Sequence, residues 1–507
     1  MRSTLRPTAA RSTAAAAAAH HATSRACSLH TSSSRATALT TLALLFLGAS
    51  VASATPGAPA PTASATPTAP PATPTTAAPG LGELVPAQAA ALAEAHEIAR
   101  LRARGPAGLA EALAAYDELG RRSGYVLPAE VARAEARVDA VAAQRHATVS
   151  RLYWYTDLDA AKRAATASGK PIVSLRLLGR LDEELSCANS RLFRATLYAN
   201  AAIATLLREQ VILHWSSERP VPRVTIDYGD GRTITTTTTG NSAHLVLDAS
   251  GAVLDVLPGV YAPGAFRTEL TTSLALARRV AALPPAAGAT ALAAHHRGAA
   301  TAAADRWRTL AAARGGMMPA RPEGSPARPA VGYAPGAATP VGAPPPPPPT
   351  LSIAFAQLAT VSKAAIEVPQ LRALRLEGGL RPRAPADVGL WASLGRELWP
   401  AAAALDAPSR ALVTRLHTAG PVTVPEDAVA AVITRLEQNL LADSALDELV
   451  LRPAIHALLG TGEARLDVVT TWLYATVFHT PRGDAWLGLL PRTEFTGVPG
   501  DGARVTR

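Results

Sequence analysis

Two patterns of hydrophobic residues predict where helices and strands lie in this 507-residue chain. Between residues 86 and 153, apolar side chains recur three or four residues apart, with breaks at Gly105-Pro106 and Gly120. This spacing predicts a helical hairpin or a three-helix unit. Short, continuous apolar runs then predict buried strands, at residues 171–175, 211–215, 244–248 and 252–256.

A helical period returns after the last of these runs and predicts the rest of the architecture. Residues 265–282 are expected to form a helix that closes the α/β domain, and residues 286–313 are alanine-rich and helical in pattern. Residues 351–507 again show a mainly helical pattern. The predicted fold class is therefore an α/β domain with a central mixed sheet flanked by helices, combined with mainly α-helical N- and C-terminal regions.

Turn residues predict how the strands connect. Gly229-Asp230-Gly231 separates two β-prone runs, residues 223–228 and 232–239, and this arrangement predicts a β-hairpin. Thr156 is the predicted N-cap of the helix that precedes the first strand, and Gly169 is predicted to end that helix.

The first 54 residues have the parts of a secretory signal. They contain five arginines and no acidic residue, and an apolar run from residue 38 to about residue 49 leads to Ala52-x-Ala54. These features predict cleavage after Ala54 and a secreted or periplasmic protein. An organelle presequence and an uncleaved membrane anchor are the alternatives, and only the anchor would associate the protein with a membrane.

Low-complexity segments suggest the domain boundaries. One is rich in Thr, Pro and Ala and predicts a disordered tether, and another ends in six consecutive prolines and predicts a linker. The pattern leaves open whether these segments separate independent domains or are loops of one assembly. The predicted divisions are a leader (1–54), a tether (55–82), a helical region (83–150), an α/β domain (151–283), an alanine-rich helical segment (284–314), a proline-rich linker (315–350) and a C-terminal helical domain (351–507).

Net charge does not indicate a nucleic-acid partner. The formal charge is +10, but removing the five leader arginines from the 49 basic residues leaves 44 against 39 acidic residues. The remaining chain has no run of basic residues interleaved with aromatic residues, which a nucleic-acid footprint requires. The sequence therefore predicts no nucleic-acid binding.

Cys187 is the sharpest chemical candidate. The only other cysteine, Cys27, lies in the leader, so the mature chain is expected to carry one thiol. Cys187 begins a predicted helix, where the helix dipole and free N–H groups favour a thiolate. Arg191 and Arg194 are expected to add to this effect.

The segment around Cys187 resembles the secreted bacterial thioredoxin-like domains over about residues 153–282. The resemblance rests on Tyr153-Trp154-Tyr155, a short acidic helix, Gly169-Lys170-Pro171 with its strand, and Cys187-x-x-Ser190. It implies a thioredoxin-like fold in which Ser190 replaces the second cysteine of the family's Cys-x-x-Cys motif. Ser242-Ala243 stands where the family has a cis-proline, and the predicted hairpin stands where it has a helix.

The resemblance implies at most a monothiol activity, because Ser190 cannot complete an intramolecular disulfide exchange. Cys187 would then form mixed disulfides with partner proteins, and Cys187 and Ser190 are the predicted site residues. The alternative is a non-catalytic interaction or scaffold protein built on a degenerate thioredoxin-like fold.

Other polar residues are weaker candidates, and the sequence predicts no cofactor and no metal ion. His244 lies near the missing proline and could meet Cys187, but a third catalytic partner is not visible. His295 and His296 are adjacent, so on a helix they point in different directions and do not have metal-site spacing. A polar cluster in the C-terminal region is expected to serve its helix dipole rather than catalysis, and it consists of Asp443, Asp447, Glu448 and His456.

Overall fold

The computed structural model describes residues 81–122, 127–238, 241–315, 388–418, 425–478, Thr480 and Gly483. The predicted leader, nearly all of the tether and nearly all of the proline-rich linker lie outside these residues. Within the described ranges, no helix combines the length and the apolar character that crossing a membrane requires.

Four helices form the described part of the N-terminal region, residues 81–122 and 127–150. Prolines begin the second and third of them, at a position whose N–H has no partner within a helix. Their apolar faces enclose a small core around Leu101, Leu109 and Val138. Gly108 lets the first two helices approach closely, because a Cβ there would collide with the carbonyl group of Leu101. The helices are α1 (Leu81–Ala103), α2 (Pro106–Arg121), α3 (Pro128–Ala142) and α4 (Ala147–Ser150).

Six strands follow in the described part of the chain, and four of them form a mixed sheet in the order β2-β1-β5-β6. β1 runs parallel to β2, with Ile172 opposite Ile212, whereas β5 is antiparallel to both β1 and β6. Every side chain of β1 is buried, as expected for a central strand. The predicted mixed sheet with flanking helices is confirmed. The strands are β1 (Ile172–Leu178), β2 (Ile212–Arg219), β3 (Arg223–Asp227), β4 (Thr233–Thr237), β5 (Ala243–Leu247) and β6 (Val253–Pro258).

Helices connect the parallel strands, because parallel pairing needs a crossover. Helix α5 (Leu158–Ser168) precedes β1; α6 (Ala188–Leu192), a π-helical turn (Phe193–Leu197) and α7 (Ala201–Gln210) join β1 to β2. The predicted N-cap at Thr156 is wrong by one residue. The Asp157 carboxylate caps α5 instead, because it accepts the backbone N–H of Ala160 at 2.6 Å.

The predicted hairpin is present as the separate pair β3 and β4. Asp227 pairs with Thr233 at the closed end, and Arg223 pairs with Thr237 at the open end. Gly229 and Gly231 adopt φ angles of 75° and 88° in the connecting turn, a conformation that favours glycine. The buried end of β4 lies next to the helix that follows Cys187.

The C-terminal helices pack directly on the sheet-containing part of the chain. The backbone N–H of Val253, in β6, donates to Ala464 O at 2.8 Å, and that of Gly264 donates to Ala402 O at 3.1 Å. One hydrophobic core extends across both parts. Besides two π-helical turns (Asp447–Leu451 and Leu473–Val477), the helices are α8 (Pro263–Ala281), α9 (Pro285–Ala313), α10 (Val388–Leu398), α11 (Ala407–Thr418), α12 (Glu426–Leu446), α13 (Arg452–Leu459) and α14 (Leu466–Trp472).

Candidate functional site

Cys187 lies at the N-terminal end of α6, as the sequence predicts. Its backbone N–H donates to Leu178 O at 3.2 Å, which fixes the start of the helix at the end of β1. Ser190 lies one turn further on, and its hydroxyl oxygen is 2.8 Å from Cys187 O and 2.7 Å from Ser186 Oγ. Ser190 is therefore engaged with the backbone and with a neighbouring serine.

The thiol of Cys187 is enclosed by hydroxyl groups. Its Sγ atom lies 3.0 Å from Ser242 Oγ and 3.4 Å from Ser190 Oγ, and the residue is 0% exposed. Ser242 belongs to the segment before β5, where the resemblance to thioredoxin-like domains leads one to expect a proline. The structure therefore brings both predicted site residues together, adds Ser242, and closes the thiol off from solvent.

Side chains from two distant segments hold the surroundings of the thiol in place. The Arg191 guanidinium donates to Thr237 Oγ1, on β4, at 2.6 Å. The Tyr474 hydroxyl donates to the carbonyl oxygen of Asn241, the residue before Ser242, at 3.0 Å. The hairpin and the last π-helical turn thus both bind the elements that surround Cys187.

Arg194 organises the loop that precedes Cys187. Its buried guanidinium donates to Leu181 O at 3.2 Å, to Glu183 O at 2.6 Å and to Glu184 O at 3.2 Å. Burial lowers the pKa of Arg194 to about 10. Because these hydrogen bonds go to backbone carbonyls, the arginine mainly holds the loop in its folded course.

His244 belongs to an aromatic cluster. Its Nε2 atom lies 2.8 Å from the Tyr198 hydroxyl, and its ring packs on Phe193 and Phe266 at centroid distances of 4.7 and 4.9 Å. Burial lowers the pKa of His244 to about 3, so the imidazole is neutral at ordinary pH. The hydrogen-bond partners of the Cys187 thiol within the described ranges are serines, and a Cys–His nucleophile is not formed.

A second polar cluster lies between β6, α8 and the C-terminal helices, and Asp255 is at its centre. The Asp255 carboxylate accepts Ser273 Oγ at 2.6 Å and Arg452 Nη2 at 2.9 Å on one oxygen. Burial alone would raise the pKa of Asp255, but the Arg452 guanidinium holds it below its usual range. Arg452 also contacts Glu269 at 2.9 Å and Glu448 at 3.4 Å.

Two histidines border this cluster, and they come from helices far apart in the chain. His296 Nδ1, on α9, lies 2.9 Å from His456 Nδ1, on α13, and His296 Nε2 lies 2.9 Å from Leu254 O. Asp255, His296 and His456 each place one possible metal-ligating atom within 4.8 Å of the others. Sequence spacing could not show this group, because the two histidines are 160 residues apart.

The acidic residues of the predicted C-terminal cluster lie in different environments. Glu448 pairs with Arg452, whereas Asp447 is buried against Gly259, where an added Cβ would lie 2.5 Å from each carboxylate oxygen. Burial, reinforced by the nearby Asp443 carboxylate, raises the pKa of Asp447 well above its usual range. These residues therefore serve the contact between the sheet and the C-terminal helices.

Comparisons with known proteins add no family assignment. No family model matches the chain, and no curated protein and no solved structure gives a match.

Proposed function

We propose that the protein is a non-catalytic interaction protein built on a degenerate thioredoxin-like fold. The proposal is supported by the order of elements: a central strand, a helix that begins at Cys187, a parallel strand, an antiparallel strand pair and a closing helix. The same order carries the resemblance to thioredoxin-like domains. The hairpin β3–β4 occupies the interval where that family has a helix.

The burial of the Cys187 thiol is the observation that carries the proposal. Disulfide exchange requires a thiolate sulfur to reach a sulfur atom of the partner. Cys187 Sγ has no exposed surface and is held between the hydroxyls of Ser190 and Ser242. In this arrangement the cysteine is part of the core between β1 and the segment before β5, which supports a role of the protein in binding rather than in thiol chemistry.

The reaction rate of the Cys187 thiol tests this proposal. The full chain carrying Cys27→Ser would be treated with a small alkylating reagent, folded and in denaturant. We expect alkylation of the folded protein to be at least roughly 100-fold slower, because the reagent must wait for a local opening that costs about 3 kcal/mol or more. Equal rates, or mixed disulfides with partner proteins that disappear in Cys187→Ser, would overturn the proposal.

A monothiol activity is the second candidate, and the position of the sulfur at the start of α6 favours it. Such an activity would require the segment around Ser242 to move away from the thiol, and the bond from Tyr474 to Asn241 is one contact that holds this segment. Tyr474→Phe removes the 3.0 Å hydrogen bond to Asn241 O. Tyr153→Phe is the matched control, because it removes a 3.0 Å bond from a tyrosine to the Arg102 carbonyl in the N-terminal region.

The two candidates predict different results for this pair of variants. If opening of the Tyr474 contact exposes an active thiol, Tyr474→Phe accelerates alkylation of the folded protein whereas Tyr153→Phe does not. If the thiol is structural, alkylation remains slow in both variants and follows global unfolding.

A further inference from the structure

We propose that Asp255, His296 and His456 bind one divalent transition-metal ion of the Zn²⁺ class, and that this ion joins the C-terminal helices to the sheet. The three residues belong to β6, α9 and α13, so a shared ion would connect elements that lie far apart in the sequence. The site is separate from the Cys187 thiol, and the inference does not depend on the role of that cysteine.

The spacing of the possible ligand atoms fits a single ion after a small adjustment. Each residue offers one ligand atom within 4.8 Å of the other two, and all three residues are buried. Zn²⁺ binds imidazole nitrogen and carboxylate oxygen at about 2.0–2.2 Å, so two ligands of a tetrahedral ion lie roughly 3.3–3.5 Å apart. The Nδ1 atoms of His296 and His456 are 2.9 Å apart and would separate by about half an ångström.

The hydrogen bond of His296 to the backbone fixes the orientation that a metal ligand needs. Nε2 of His296 lies 2.9 Å from Leu254 O, and a carbonyl oxygen can only accept, so this nitrogen carries the ring proton. Nδ1 of His296 therefore has a free electron pair directed at His456. A backbone carbonyl on the second nitrogen is a common support for a metal-binding histidine.

Metal binding replaces the hydrogen bond between the two histidines. Because His296 Nδ1 is an acceptor, His456 Nδ1 carries the proton that joins the rings at 2.9 Å. When the ion binds, that proton moves to His456 Nε2, both Nδ1 electron pairs bind the metal, and each imidazole stays neutral. No oxidation or reduction is involved, and the His–His hydrogen bond is the alternative that the experiment must separate.

The net charge around the site is negative although Arg452 lies beside it, so a cation is favoured there. The guanidinium lies 2.9 Å from Asp255, but it also pairs with Glu269 at 2.9 Å, so these two carboxylates exceed its single positive charge. The Asp255 carboxylate accepts three hydrogen bonds, from Ser273, Arg452 and the backbone of Val256. A carboxylate has about four acceptor positions, so one remains for a metal ion.

The ligand set indicates the class of metal. Two imidazoles and one carboxylate are suited to Zn²⁺, Co²⁺, Ni²⁺ or Fe²⁺ rather than to Ca²⁺ or Mg²⁺, which prefer oxygen ligands. The three side chains leave one position of a tetrahedral ion for a water molecule. Because they come from β6, α9 and α13, the bound ion would hold these elements together. An ion that binds the folded chain but not the unfolded chain would raise the stability of the protein.

Titration of the metal-free protein tests the proposal. The full chain, without a histidine tag, would be treated with a chelator and then titrated with Zn²⁺ by calorimetry and with Co²⁺ by visible absorption. We expect one ion per chain, a tetrahedral Co²⁺ spectrum and a higher melting temperature with Zn²⁺. Absence of stoichiometric binding, or an octahedral Co²⁺ spectrum with no change in melting temperature, would show that the histidines form a hydrogen bond only.

Substitutions assign the ion to these residues. His296→Gln and His456→Gln are each expected to weaken Zn²⁺ binding by more than about 100-fold, because loss of a direct ligand exceeds the effect of losing a supporting group. His295→Gln is the matched control, since His295 is adjacent to His296 but outside the group. Equal affinity in all three variants, or equal loss in all three, contradicts the assignment. If a variant does not fold, X-ray absorption of the Co²⁺-loaded wild type must show two imidazole ligands, and fewer would overturn the proposal.

Discussion

Replacing Gly264 by alanine tests the contact between α8 and the C-terminal helical region. Gly264 is the second residue of α8, and its backbone N–H donates to Ala402 O at 3.1 Å. A Cβ at Gly264 would lie 2.6 Å from the Cα of Ala402, whereas unstrained carbon atoms are about 3.5–4.0 Å apart. The clash involves backbone atoms, so the two segments must move apart.

The expected magnitude follows from two opposing effects. Overpacking of a closely packed contact costs about 1–3 kcal/mol. Alanine is favoured over glycine in a helix by about 0.5–1 kcal/mol, which offsets part of that cost. We therefore expect Gly264→Ala to lower the free energy of unfolding by about 1.3 kcal/mol, the difference between the middles of the two ranges.

Gly298→Ala is the matched control, because it makes the same chemical change in an open position. Gly298 lies inside α9, and a Cβ there would have no atom within 4 Å. The helix preference then acts alone, and Gly298→Ala should raise the free energy of unfolding by about 0.5–1 kcal/mol.

Unfolding in denaturant, followed by circular dichroism, measures both changes against wild type. The structure predicts opposite signs for the two variants. If Gly264→Ala is as stable as wild type, or more stable, then α8 and Ala402 are not packed together as the structure has them.

Three further variants test the surroundings of the two clusters. His244→Phe should make the stability of the protein less sensitive to acid. The pKa of His244 is about 3 in the folded protein and 6.5 in the unfolded chain, so the wild type loses stability as the pH falls below 6.5. Between about pH 7 and about pH 4.5, the free energy of unfolding in urea should fall by about 3 kcal/mol more in the wild type than in the variant. The same pH dependence in both proteins would contradict the buried position of His244. Arg194→Met leaves three carbonyls without their donor and should lower the free energy of unfolding, measured by thermal unfolding, by roughly 2–4 kcal/mol. An unchanged stability would show that Arg194 does not hold the loop. Gly259→Ala should destabilise the protein more than Gly251→Ala, although both glycines have positive φ. A Cβ at Gly259 would meet the buried Asp447 carboxylate, whereas a Cβ at Gly251 would meet only the flexible side chain of Lys162. Equal unfolding midpoints of the two variants would argue against the contact between Gly259 and Asp447.

Much of the local structure could be predicted from the sequence, because its causes lie within a few residues. Continuous apolar runs located the strands of the sheet, and Gly229-Asp230-Gly231 located the hairpin, since only a few turn types reverse a chain over so short a distance. The helix start at Cys187 was predicted in the same way. Thr156 shows the limit of such prediction: two adjacent residues could both cap α5, and only the folded chain selects Asp157.

The state of the candidate site depends on contacts that no local pattern contains. Cys187 is enclosed because Ser242, 55 residues later, supplies a hydroxyl, and because Tyr474 anchors the neighbouring carbonyl. His296 looked unsuited to metal binding, since its neighbour His295 points elsewhere, and its partner His456 is 160 residues away.

Local patterns in the sequence were enough to place the strands of the sheet, its hairpin, and the thiol at the start of a helix. Only packing between distant segments buries this thiol, places the C-terminal helices on the sheet, and brings an aspartate and two histidines together. Periodicity and turn chemistry act between residues that are close in the sequence, whereas burial and ligand geometry arise only when distant segments pack together.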